Sequence, residues 1–322
     1  MLFVTNRVPV EGYKSSEGRS VSFDLQNTTP SKHLFFCKRS GEGIYHEEGS
    51  KKFFSELRTL SDEKTQVLLY IHGFNNTDEA QVFPNAIALE SQLNEDAGDT
   101  LVKVVPVIWP CDDDSPIAFA DDYWDDQRAA DESGRLFYRL FGKFEAWQKS
   151  LVQQGEACHR RINVLAHSMG ARVLMNTLHE WAKAHGSVPQ LFRNAFLVAP
   201  DIKNEALEKG EKGQHIVDSA RNVIVYYAND DLAMPASKAA NLKNKTLSRR
   251  LGMTGPEKLE KLPDKVYQVD CDNFNNTIDW PKGHTYFLHN NGKTSPIIGH
   301  LANAIKTARV SPPQRKHELP YP

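Results

Sequence analysis

Arg161-Ile-Asn-Val-Leu-Ala-His-Ser-Met-Gly-Ala-Arg-Val-Leu-Met-Asn-Thr-Leu-His-Glu-Trp181 is the stretch whose reading decides the fold. Ile162 to Ala166 is a short apolar run that fits a buried strand. Ala171, Leu174, Met175, Leu178 and Ala182 recur at helical spacing and make one apolar helix face. Between them lies Ala166-His-Ser-Met-Gly170, a G-x-S-x-G turn with Ala in the first place. A strand that becomes a helix within two or three residues needs a tight turn, and the small Ala166 and Gly170 let the two elements approach. Ser168 then projects from the turn as a candidate nucleophile. The backbone N–H of Met169 opens the helix without a partner inside it, so it is a candidate donor to a developing oxyanion. Read alone, the turn also fits a serine that only caps its helix.

Working outward, Val67–Ile71 is a continuous apolar strand that ends in His72-Gly73-Phe74-Asn75. A His-Gly turn after such a strand supplies a second oxyanion donor, and the Phe74 N–H is the candidate, with Gly73 free to aim it. His72 and Asn75 are candidate pocket residues, or turn chemistry. Asp78–Asp96 reads as a helix and Leu101–Trp109 as another buried strand. After it, Cys111 has no evident base or helix N-terminus beside it, and Asp112-Asp113-Asp114 reads as a solvated acidic loop rather than a metal site. Tyr123–Leu151 carries core spacing over a long helix, with Tyr123, Asp126 and Ser133 on its early turns. Trp109, Tyr123 and Trp124 are candidates for an aromatic pocket or for core packing, and His167 belongs to the same candidate pocket.

Beyond the turn, Asn194–Pro200 and Arg221–Tyr227 read as strands, and Asp201–Gln214 as a charged surface loop. The second strand ends in Ala228-Asn-Asp-Asp-Leu-Ala-Met-Pro235. A carboxylate at a strand's C-terminal edge, after the serine in sequence, is where a triad acid belongs. Asp230 and Asp231 compete, and the spacing to Pro235 favours Asp231. Ala236–Pro256, with five Lys and Arg residues and few regular apolar positions, reads as a solvated insertion rather than a nucleic-acid or membrane contact. His284 lies in a Gly-His turn after the strand Lys265–Asp270 and before a terminal helix, Pro296–Ala308, which itself holds His300. The loop position makes His284 the candidate base. Leu2–Thr5, Ser20–Leu25 and His33–Cys37 suggest antiparallel pairing at a sheet edge, followed by a short helix over Lys51–Leu60.

The 322 residues suit one large α/β unit. The expected organisation is a single domain over 1–308, with edge strands in 1–65, a surface insertion at 236–264 and a Pro-rich tail at 309–322. A net charge of −2 gives no global field toward nucleic acid, and no apolar run is long enough for a membrane span. Four dispersed cysteines without zinc spacing, and no signal-peptide pattern, point to the cytoplasm as the expected location.

These blocks, taken in order, resemble the bacterial branch of the α/β-hydrolase superfamily described as hydrolases of unknown function. Phe3-Val-Thr-Asn-Arg7 is similar to the family's opening strand, and Tyr70–Asn76 to its oxyanion stretch. Ile108-Trp-Pro110, with Tyr123, Asp126 and Ser133, matches its next landmarks. Leu165–Gly170 matches its elbow. Asp231-Leu-Ala-Met234, Arg250–Gly255 and Gly283–Phe287 match its later blocks. Cys111 departs from the Ser usual after Trp-Pro. The resemblance implies a mostly parallel sheet with helices on both faces. It also implies Ser168 as nucleophile, Asp231 as acid and His284 as base, with no cofactor or metal. The expected activity is hydrolysis of a carboxylic ester or related acyl bond of a small molecule. A non-catalytic binding protein on the same fold, or an acyltransferase with the same triad, are the alternatives.

Overall fold

The computed structural model describes residues 1–61, 64–74, 76–111, 119–154, 161–232, 249–290 and 292–321, with the backbone alone for 119–124. The strands are β1 (Leu2–Thr5), β2 (Ser20–Val21), β3 (Phe35–Gly41), β4 (Ile44–Glu47), β5 (Gln66–Ile71), β6 (Val102–Ile108), β7 (Ile162–His167), β8 (Phe192–Val198), β9 (Ala220–Tyr227), β10 (Val266–Asp270) and β11 (Lys316–Glu318). They form one sheet in the order β11-β10-β9-β8-β7-β5-β6-β1-β3-β4-β2. Every pairing from β11 through to β1 is parallel, and the pairings among β1, β3, β4 and β2 are antiparallel. This is a mostly parallel α/β sheet with an antiparallel edge.

The apolar strands are buried on both faces, and their side-chain period of two divides them between two cores. Val67, Leu69, Ile71, Val164, Ala166, Val223 and Val225 face α1 (Gly49–Leu60), α3 (Phe119–Gln153), α4 (Gly170–His185) and α5 (Gln214–Ser219). Leu68, Tyr70, Leu165, Phe196, Ile224 and Tyr226 face α2 (Phe83–Ala97) and the terminal helix Pro296–Thr307. The second face also carries a buried row of amides, Gln66, Asn163, Asn194 and Asn222, at the N-terminal ends of four adjacent strands.

Several segments differ from the sequence expectation. The helix expected from Asp78 begins as a π-turn, Asp78–Val82, in which Asp78 is buried against Arg7. The stretch after β8 is not a surface loop, because Ile202, Ala206 and Leu207 are buried and join the first core. Part of the expected insertion, residues 250–256, is packed as well: a short helix, α6 (Leu251–Thr254), lies on β9, Leu251 is buried, and Arg250 pairs with Asp201 in the interior. Residues 233–248 lie outside the described part. The C-terminal tail supplies β11, which adds a parallel strand to β10. Two further elements are α7 (Asn275–Ile278) and α8, the terminal helix Pro296–Thr307.

Candidate active site

The C-terminal ends of β5, β7, β8 and β9 converge at one rim of the sheet. At the end of β7 the backbone of Ser168 takes φ +52°, a left-handed conformation that an L-residue adopts only at a cost. Neighbouring strands hold it there. The Ser168 N–H donates to Val198 O at 2.9 Å, and the Asp201 N–H donates to Ser168 O at 3.0 Å, so the turn is clipped to the end of β8 on both sides. Close approach needs the two glycines. A Cβ on Gly170 would lie 2.6 Å from His72 O, and one on Gly73 would lie 2.9 Å from Ser168 Cβ. Gly73 therefore brings the turn after β5 against the serine, with Phe74 next in the chain. In the first turn of α4, Ala171 N–H donates to Ser168 O at 3.1 Å and Arg172 N–H to Met169 O at 2.9 Å. The amides of Met169 and Gly170 precede this ladder and stand outside it.

The imidazole of His284 meets a carboxylate from a different strand end. Its Nδ1 is 2.6 Å from Asp231 Oδ2, with the Asp231 side chain fully buried and that of His284 13% exposed. Two carboxylates that flank this contact do different work. Asp230 is exposed and accepts from the side-chain amides of Asn275, at 2.7 Å, and Asn276. Asp279 accepts the backbone N–H groups of His284 at 2.8 Å and Thr285 at 2.7 Å, which pins the loop that presents the imidazole. The acid and base loops are also joined directly, because Leu232 N–H donates to Lys282 O at 2.9 Å. Burial would lower the pKa of His284. The charge of Asp231 and its hydrogen bond outweigh burial, with smaller contributions from Asp279 and Asp201, and the pKa is raised above the ordinary 6.5.

A family model described as "alpha/beta hydrolase of unknown function (DUF900)" matches residues 47–300, which include Ser168, Asp231 and His284. The chain belongs to this α/β-hydrolase family. Among solved structures, the phospholipase PlaB from Legionella pneumophila, in complex with thio-NAD, is similar at 13% identity with a TM-score of 0.25. That likeness covers 51% of this chain and 38% of the phospholipase chain. No curated protein matches.

In this α/β-hydrolase the other expected pocket residues occupy several settings. His72 and Trp109 are fully buried, and their rings stack at 5.1 Å and 4°. The His72 Nδ1–H donates to Gly73 O at 2.9 Å, while Nε2 accepts the Trp109 N–H at 3.2 Å, and the Trp109 indole N–H donates to His72 O at 2.9 Å. Burial holds this imidazole neutral, with its pKa pushed down to about 3. The pair thus braces the turn that carries Gly73 and Phe74, and neither side chain offers surface to a ligand. Cys111 is buried nearby; burial raises its thiol pKa well above the ordinary value, so it is a poor nucleophile. Asp126 and Ser133, on the early turns of α3, are buried, and Ser133 Oγ accepts from Asn6 Nδ2 at 2.9 Å. His167 is 3% exposed, its ring 4.7 Å from that of His284. Asn75 and the side chains of Tyr123 and Trp124 lie outside the described residues.

Three contributors to the site escaped the sequence reading: Asp279, Asn275 and Asp201. Asp279 accepts from N–H groups five and six residues further on, beyond the two-residue reach of an Asx turn, so no local turn pattern marks it. Among the described residues, no group of three or more His, Cys, Asp or Glu is arranged to hold a metal ion, and no helix is long and apolar enough to cross a membrane.

Proposed function

We propose that this chain is a cytoplasmic serine hydrolase that cleaves a carboxylic ester, or a related acyl bond, of a small molecule through an acyl-enzyme on Ser168. The observation that carries the reading is the 2.6 Å contact between His284 Nδ1 and Asp231 Oδ2, reached from separate strand ends at the rim where Ser168 sits with φ +52°. In this mechanism neutral His284 takes the Ser168 proton through Nε2 as the oxygen attacks the acyl carbon. Asp231 keeps the other ring nitrogen protonated and stabilises the imidazolium that forms. The backbone N–H groups of Phe74 and Met169 donate to the oxyanion, each worth about 3–4 kcal/mol in comparable sites. The imidazolium then protonates the departing alkoxide, and a water activated by His284 releases the acid.

A fluorophosphonate probe followed by peptide mapping tests the assignment. Labelling at Ser168, with loss of both label and p-nitrophenyl ester turnover in S168A, is the expected result. Absence of labelling in folded wild-type protein would reject it in favour of a binding protein. Transfer of the acyl group to an added alcohol in preference to water would reassign the same serine chemistry to acyl transfer.

A further inference from the structure

We propose that His167 is a positioning residue: it ties the backbone of His284 to the residue immediately before Ser168 and so sets where the base stands relative to the nucleophile. The proposal rests on the serine-hydrolase reading above. His167 Nε2 lies 3.2 Å from the carbonyl oxygen of His284. A carbonyl only accepts, so this nitrogen carries the hydrogen and the tautomer is set. The ring is wedged between those of His284, at 4.7 Å and 48°, and Phe287, at 5.1 Å and 46°. One hydrogen bond and two ring contacts therefore join the elbow to a loop 117 residues away.

The same tautomer leaves Nδ1 as a bare acceptor. It is buried and has no hydrogen-bond partner among the described residues. Its neighbour is the open face of Gly73, where an added Cβ would come within 3.1 Å of it. A buried acceptor without a partner is unfavourable, and a phenyl ring would fill this space without that cost. What an imidazole supplies here and a phenyl does not is the Nε2–H on the His284 carbonyl. The ring also stays uncharged beside the imidazolium of the catalytic cycle, because burial and the charge of His284 both oppose a second proton. The donor therefore persists through the pH range of turnover and never repels the base.

Three substitutions separate this role from packing. H167F keeps an aromatic ring and removes the donor. H167Q places an amide N–H near the former Nε2. H167N places it near Nδ1. With p-nitrophenyl acetate, H167F is expected to lower kcat by roughly 10- to 100-fold with KM within about threefold, as misplacement of a reacting group does. H167Q should recover most of that loss and H167N should not. The acid limb of the kcat profile in H167F should move to lower pH as His284 loosens from Asp231. Wild-type kcat and pH profile in H167F would overturn the proposal, and so would equal activity of H167Q and H167N, a comparison that decides even where H167F does not fold. Fluorophosphonate labelling of the wild type separates the two levels. An unlabelled wild type removes the serine-hydrolase reading and this proposal with it, whereas a labelled wild type with unaffected H167F removes the proposal alone.

Discussion

The side-chain amide of Asn194 donates to Oδ1 of Asn163 at 2.8 Å in the interior, between neighbouring strands β8 and β7. The row continues on both sides. Asn222 Nδ2 donates to Asn194 Oδ1 at 2.9 Å, and Asn163 Nδ2 donates to Gln66 Oε1 at 3.2 Å. The same amides reach the end of α8, at the carbonyls of Ala304 (3.2 Å from Asn194), Ile305 (2.9 Å from Gln66) and Ala308 (3.1 Å from Asn222). Four strands and the C-terminus of the last helix are thus held in register by side chains that a slip of one residue would turn to the wrong face. Changing Asn194 to Ala leaves Asn163, Asn222 and Ala304 short of partners and is expected to cost about 2–4 kcal/mol in urea unfolding. The Ser168 rim is at the opposite ends of the strands, so residual folded protein should keep its ester turnover per molecule.

The two adjacent aspartates should separate cleanly. In the proposed mechanism D231N removes the charge that orients and stabilises His284, with a loss in kcat of about 10⁴-fold. D230N weakens only contacts with Asn275 and Asn276, and should leave kcat within about threefold. Equal losses in both variants, measured with one p-nitrophenyl ester, would reassign the acid.

The base must be neutral to act, and its pKa in the fold is raised above 6.5. The acid limb of kcat/KM should therefore lie above pH 6.5 in the wild type. D279N removes one of the smaller raising charges and should shift that limb downward, together with a looser loop at residues 283–285.

Stability should fall in acid. His72 has its pKa pushed down to about 3, so below 6.5 the unfolded chain binds a proton that the folded chain refuses until near pH 3. Stability is full above pH 6.5 and lost as pH falls from 6.5 toward 3, by about 1.4 kcal/mol per unit for such a group. His284 works in the opposite sense. Its raised pKa contributes stability that is complete below 6.5 and lost as pH rises through its folded value. Urea midpoints at pH 7, 6 and 5 check the sum, and a flatter slope in H72Q assigns the acid part to His72.

Gly73 and Gly170 should fail differently. A Cβ at Gly170 meets the backbone oxygens of Ile71 and His72, so β5 and α4 must part, and G170A is expected to cost about 3 kcal/mol. At Gly73 the nearest atoms are the side chains of Ser168 and His167. G73A should therefore reduce turnover far more than it reduces the melting temperature.

Local chemistry determined much of this protein. Apolar runs such as Val67–Ile71 and Ile162–Ala166 can be satisfied only inside a parallel sheet, and a serine between such a run and an amphipathic helix marks the turn at residue 168. Tertiary structure alone decided the rest. The spacing to Pro235 favours Asp231 over Asp230, but the contact itself, Asp231 with His284 and Asp230 with Asn275, is made by β9 and the loop pinned by Asp279, which share no local signal. The three-residue polar strand Lys316–Glu318 exists only because the edge of β10 offers hydrogen bonds to it. Arg7 and Asp78 are both charged and 71 residues apart, yet they are paired at 3.2 Å in the interior, since a buried charge is tolerated where a distant partner arrives to meet it. Periodicity reports which face of an element is apolar; it carries no information about which residues from distant elements will meet, and the candidate site is made of such meetings.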